Sequence, residues 1–72
     1  MAKFIVNKIG RGELWELYEI HNITTGCSYL PEQENRIELG DFISCRSALI
    51  TARQIYPSAD GCYYCCNGCH TG

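Results

Sequence analysis

The sequence lacks a long hydrophobic run and an excess of positive charge. The apolar run near its start, residues 4–6, is far shorter than the roughly 7 to 15 apolar residues of a signal peptide or the roughly 20 of a membrane span. We therefore expect a cytoplasmic protein with no membrane contact. Lysine and arginine number 6 against 8 acidic residues, for a net charge of -2, and a broad surface for nucleic-acid phosphates is disfavoured.

The chain is short, with 72 residues, and a domain of this size buries only a modest core. A disulfide, a metal ion or a partner commonly stabilises such a domain. We expect one domain over residues 1–72 and a monomer. The acidic residues form no paired arrangement suited to acid–base catalysis, so we interpret them as an ordinary solvated surface, and we favour a protein that is not an enzyme.

The first part of the chain predicts a β-hairpin. Residues 3–9 and 14–21 are rich in β-branched and aromatic side chains, and they flank a Gly-Arg-Gly turn at residues 10–12. A helix over residues 13–20 remains an alternative, because glutamate and leucine favour helices. Residues 36–39 resemble a short third strand.

One helix is predicted after Gly40. Apolar residues recur at three- and four-residue steps within residues 41–56, which is the period of one helix face. Asp41 or Ser44 would cap its start, and Pro57 would close it. The predicted fold is α+β, a small zinc-stapled domain with a two- or three-stranded antiparallel sheet and one helix.

The end of the chain carries the strongest chemical signal. Four of the six cysteines form two adjacent C-x-x-C pairs, one at Cys62 and Cys65 and the other at Cys66 and Cys69. Two intervening residues allow both thiolates of a pair to reach one zinc ion at about 2.3 Å. Clustered cysteines in a reducing compartment more often bind metal than form disulfides. A single pair supplies only half of a tetrahedral site.

Upstream residues can complete such a site. Cys27 lies in a glycine-containing loop, and His21 ends the predicted second strand just before it. With the first C-x-x-C pair they would form a closed site of one nitrogen and three sulfurs, but the second pair and His70 stay open as alternatives. Cys45 falls on the apolar face of the predicted helix, where we interpret it as a buried thiol that packs as a small hydrophobic side chain.

The order of these motifs resembles a known zinc-binding family. Tyr18 or His21, Cys27, the strand "NRIEL" at residues 35–39, an alanine-containing helix, Tyr56 and a closing C-x-x-C follow one another. This series is similar to the zinc-binding module at the start of the Ada alkylation-repair protein and beside some nucleases. The resemblance covers about two thirds of the chain.

The resemblance implies Cys27, Cys62 and Cys65 as zinc ligands. The repair protein uses four cysteines, one of which accepts a methyl group, but this chain has no second cysteine a few residues from Cys27. His21, or a residue of the tail, would supply the fourth ligand. Methyl transfer is therefore not implied. The candidate metal ligands taken together are His21, Cys27, Cys62, Cys65, Cys66 and Cys69.

Our sequence-based hypothesis is a structural Zn²⁺ domain that acts as a non-catalytic binding module for an unknown protein or nucleic-acid partner. Four alternatives remain. These are a zinc-thiolate methyl acceptor, a thiol redox protein, a knot of disulfides, and an electron carrier with an iron–sulfur cluster or a c-type haem at the C-x-x-C-H motif of residues 66–70. Tyr63 and Tyr64 are expected to pack over the metal site rather than to stack on a base or a partner.

Overall fold

The computed structural model describes residues 1–7 and 18–71. These residues form one α-helix and a four-stranded sheet, so the predicted α+β class is confirmed. The strand order in the sheet is β3-β1-β2-β4. The elements are β1 (Ala2–Asn7), β2 (Glu19–Asn22), β3 (Arg36–Phe42), α1 (Cys45–Ile55) and β4 (Asp60–Gly61), with short 3-10 helices at Gln33–Asn35 and Asn67–Cys69.

Strand β1 is the centre of the antiparallel part of the sheet. It pairs with β2, where Ile5 lies opposite His21, and with β3, where Phe4 lies opposite Gly40. The β1–β2 pair agrees with the predicted hairpin, and β3 is longer than the predicted third strand. The predicted turn at residues 10–12 and the start of the predicted second strand lie outside the described residues.

The fourth strand departs from the predicted sheet. β4 pairs parallel with β2, with Glu19 opposite Asp60 and Ile20 opposite Gly61. The amide of Asp60 donates to the Tyr18 carbonyl at 2.8 Å, and the amide of Cys62 donates to the Ile20 carbonyl at 3.0 Å. A two-residue strand is too short to show an alternating pattern, which is why sequence reasoning missed it.

Helix α1 packs on one face of the sheet. Ser44 caps its start, since its side-chain oxygen accepts a hydrogen bond from the Ser47 amide, and the helix ends before Pro57 as predicted. Its buried face packs against apolar side chains of β1 and β2; the residues of this core include Phe4, Val6, Ile20, Ala48, Leu49 and Ala52. Within residues 1–7 and 18–71, no helix combines the length and the apolar character needed to cross a bilayer.

Candidate metal centre

Four side chains from distant parts of the chain converge beside the end of the sheet. One comes from β2, one from the loop after β2, one from the residue after β4 and one from the tail. Their potential ligand atoms all lie within 4.8 Å of one another, so the group could hold a metal ion. We call it the metal group, and its members are His21, Cys27, Cys62 and Cys65.

The spacing within the metal group is close. The Sγ atoms of Cys27 and Cys62 are 3.8 Å apart, and Nδ1 of His21 lies 3.6 Å from Sγ of Cys65. His21 and Cys62 are buried, with 0% and 2% of their surface exposed, whereas Cys27 and Cys65 are half-buried. The group therefore has an inner side against the core and an outer side toward the surface.

Backbone pairing positions the inner side. His21 lies within β2, and Cys62 directly follows β4, which pairs with β2. The hydrogen bond from the Cys62 amide to Ile20 fixes the start of the tail beside β2. The parallel pair that sequence reasoning missed is thus the feature that brings these two side chains together.

A turn after β2 positions Cys27. The amide of Gly26 donates to the Asn22 carbonyl at 3.1 Å, and Gly26 has a φ of 83°. This left-handed conformation is readily adopted by glycine and strained for most other residues. The turn reverses the chain, so that Cys27 points back toward the strand from which it departed and lies near Cys62.

Burial and hydrogen bonding act in opposite directions on Cys65. Burial raises the pKa of its thiol above the ordinary value, whereas the Asn22 amide, which donates to Sγ at 3.4 Å, lowers this pKa. Burial prevails, so the thiol is neutral when no cation is bound. The donated N–H would stabilise a thiolate once a metal ion had replaced the proton.

The structure does not bring Cys66 and Cys69 into the metal group. Cys66 is buried in the apolar core, where burial raises the pKa of its thiol, and its amide donates to the Cys62 carbonyl at 2.9 Å. Cys69 forms a disulfide with Cys45, with a Cα–Cα distance of 6.3 Å. The tail turns inward after Cys65, and its 3-10 helix directs Cys69 toward α1. Cys45, predicted as a free buried thiol, is instead a disulfide partner.

His70 also lies outside the metal group. Its Nδ1 is 2.9 Å from the Gly61 carbonyl oxygen and 3.5 Å from a carboxylate oxygen of Asp60. The amide and hydroxyl of Thr71 also donate to that carboxylate. These contacts hold the end of the tail against β4. Because Cys69 is in the disulfide, Cys66 is the member of the second C-x-x-C pair that keeps a free thiol.

Three tyrosines form a surface cluster that the sequence did not reveal. Tyr63 and Tyr64, which we expected to pack over the metal site, are 56% and 63% exposed. Tyr29, which no sequence pattern singled out, stacks on Tyr64 with ring centroids 4.2 Å apart. The two stacked residues are far apart along the chain, so no local period could have predicted the contact.

No family model, no curated protein and no solved structure matches this chain. The assignment of the metal group therefore rests on its own geometry and chemistry.

Proposed function

We propose that the chain is a small domain stapled by a structural zinc ion, and that it acts as a non-catalytic binding module. His21, Cys27, Cys62 and Cys65 would hold the ion. The observation that carries this proposal is the agreement between the two measured ligand distances and the edges of a zinc tetrahedron.

The expected edges follow from bond lengths. Zinc binds sulfur at about 2.3 Å and histidine nitrogen at about 2.0–2.1 Å, so a tetrahedral arrangement separates two sulfurs by about 3.8 Å and a nitrogen from a sulfur by about 3.6 Å. The measured values are 3.8 Å for Cys27 and Cys62 and 3.6 Å for His21 and Cys65. The other separations in the group are no greater than 4.8 Å, so closure around zinc would require a contraction of at most about 1 Å.

The donor set supports a structural role. Three sulfurs and one nitrogen from the protein fill all four positions of a zinc ion, and catalytic zinc sites usually keep one position for water. Zinc would also supply the positive charge that one buried thiolate, Cys62, and two half-buried thiolates, Cys27 and Cys65, need. Since β2, the following loop and the tail meet at this group, metal binding would contribute directly to folding.

The resemblance to the Ada-like module is retained as part of this proposal. It rests on the order of sequence motifs alone: a histidine, a cysteine and then a C-x-x-C pair. Methyl transfer is not part of the proposal. Incubation with a methyl donor should leave the mass of the zinc-loaded protein unchanged; a methyl group added to one cysteine would favour the acceptor class instead.

The direct test is native mass spectrometry with elemental analysis on protein purified without chelator. We expect one zinc ion per chain and loss of amide dispersion in NMR spectra when the zinc is removed. Two neighbouring cysteines provide a matched comparison: Cys65→Ala should lose the metal, whereas Cys66→Ala should keep it. The proposal would be refuted if the amide dispersion stayed the same after addition of chelator, or if the protein contained iron in place of zinc.

A further inference from the structure

The tyrosine cluster, consisting of Tyr29, Tyr63 and Tyr64, forms an exposed aromatic surface beside the metal group. Tyr29 and Tyr64 are stacked nearly parallel, at an interplanar angle of 20°. Tyr63 stands almost perpendicular to Tyr64, at 88°, with ring centroids 5.2 Å apart. The rings present roughly half of their surface to solvent, which is unusual for large aromatic side chains that serve only the core.

The cluster is positioned by the same segments that carry the metal group. Tyr29 follows Cys27 by two residues, and Tyr63 and Tyr64 lie between Cys62 and Cys65. Closure of the metal group therefore also brings the rings together.

Further contacts hold one ring of the cluster. The side-chain amide of Asn67 donates to the Tyr63 carbonyl at 3.1 Å, and the Tyr63 ring packs edge to face with His70. An aromatic surface that is fixed before a partner arrives loses little side-chain entropy on binding.

The charges of the two chain segments that carry the cluster favour a cationic partner, although Arg46 and Arg53 of α1 border the tail farther along, at Gly68, Cys69 and Thr71. Residues 27–35 and 62–71 contain two exposed acidic residues, Glu32 and Glu34, and no lysine or arginine. The next cation along the chain, Arg36, donates from Nε to the Pro31 carbonyl at 3.0 Å. A surface that binds nucleic-acid phosphates relies on several cations, which these two segments lack. The negative faces of aromatic rings attract cations.

We propose that the tyrosine cluster binds a basic, arginine-containing segment of a partner protein. A guanidinium group is planar and stacks on aromatic rings, which the ammonium of lysine does less well. Glu32 and Glu34 would add attraction for the positive charge of the segment. This inference rests on the proposed function, because it names the partner chemistry of the same binding module.

The probes are two short synthetic peptides that differ only in their cations. One carries several arginines spaced by glycine and serine, and the other carries lysines at the same positions. Binding to the zinc-loaded chain is measured by calorimetry at low and at moderate salt. The arginine peptide should bind more tightly than the lysine peptide.

Variants locate the binding surface. Tyr64→Ala should weaken binding of the arginine peptide by about two- to fivefold, and Tyr64→Phe should largely preserve it. Ile50→Ala is the matched control, because Ile50 on α1 is also 63% exposed, and this change should have no effect. Zinc content and circular dichroism of every variant are checked first, so that a folding defect is not mistaken for lost contact.

The outcomes separate this inference from the proposed function. Equal affinity for the two peptides, or tighter binding of a single-stranded oligonucleotide than of the arginine peptide, overturns the inference. Zinc-loaded protein that binds neither peptide also overturns it but leaves the zinc proposal standing. If protein purified without chelator contains no zinc but still binds the arginine peptide, and Tyr64→Ala weakens that binding, the inference is supported and the zinc proposal is refuted.

Discussion

Gly61→Ala should destabilise the chain, because the tail packs directly against this residue. A Cβ atom at Gly61 would lie 2.7 Å from the Cys66 carbonyl oxygen, 3.0 Å from the carbonyl carbon of Cys69 and 3.1 Å from the His70 amide nitrogen. Ordinary contact begins at 3.4 Å, so the closest approach is too short by 0.7 Å, the difference between 3.4 and 2.7 Å. All three atoms belong to the backbone, so no side-chain rotation can relieve the overlap.

The cost follows from how firmly that backbone is held. The amide of Cys66 donates to Cys62 at 2.9 Å, and the amide of Cys69 donates to Cys66 at 3.0 Å. Overpacking of this kind costs about 1–3 kcal/mol, which corresponds to a loss of about 5- to 150-fold in the folding equilibrium constant. If β4 moves instead, Cys62 moves with it, and the affinity for zinc falls as well.

Urea denaturation of the zinc-loaded protein measures this effect. The control is Gly68→Ala, where an added Cβ would have no heavy atom within 4 Å. We expect the unfolding midpoint of the Gly61 variant to fall by about 1 M urea or more, and that of the Gly68 variant to stay near the wild-type value. Equal midpoints for the two variants would show that the tail does not pack against Gly61 as described.

Three further predictions address the ligands, the protons and the disulfide. His21→Cys should retain the metal and replace the one nitrogen ligand with a fourth sulfur. The sulfur-to-metal charge-transfer absorption of the cobalt-substituted protein should therefore become stronger. Unchanged absorption would exclude His21 as a ligand. Because burial raises the pKa of Cys65, zinc affinity in a chelator competition should rise with pH as protons become easier to displace. An affinity that does not change with pH would show that zinc binding displaces no thiol proton. Finally, the double variant Cys45→Ala, Cys69→Ala removes a disulfide that joins residues 24 positions apart. Its free energy of unfolding under oxidising conditions should be lower than that of the wild type by about 3 kcal/mol. Equal stability of the two proteins would refute the pairing.

Each member of the metal group carries a local signal in the sequence, although the sequence also left Cys66, Cys69 and His70 as alternatives. The C-x-x-C pair of Cys62 and Cys65, the loop position of Cys27 and the strand end at His21 can each be recognised within a few residues. The helix was equally accessible, since its apolar period and the Ser44 cap lie within a single segment. What these signals could not show is how the segments approach one another.

The features that sequence reasoning missed depend on long-range contacts. β4 has two residues and is recognisable only by its pairing with β2. The disulfide joins Cys45 to Cys69, and spacing alone does not determine which cysteines pair. Tyr29 meets Tyr64 only after Cys27 has approached Cys62. In each case the tertiary contact itself, rather than a local propensity, creates the feature.

If the metal group holds zinc as proposed, the unequal support of its four members has a consequence for the rate of metal exchange. His21 and Cys62 are buried and anchored through the β2–β4 pair, whereas Cys27 and Cys65 are half-buried and lie outside the strands. We therefore expect zinc to leave through successive release of the two outer sulfurs, while the inner pair retains the ion longest. The tyrosine cluster flanks those outer ligands, so a protein segment seated on it would cover this exit and slow the transfer of zinc to a competing chelator.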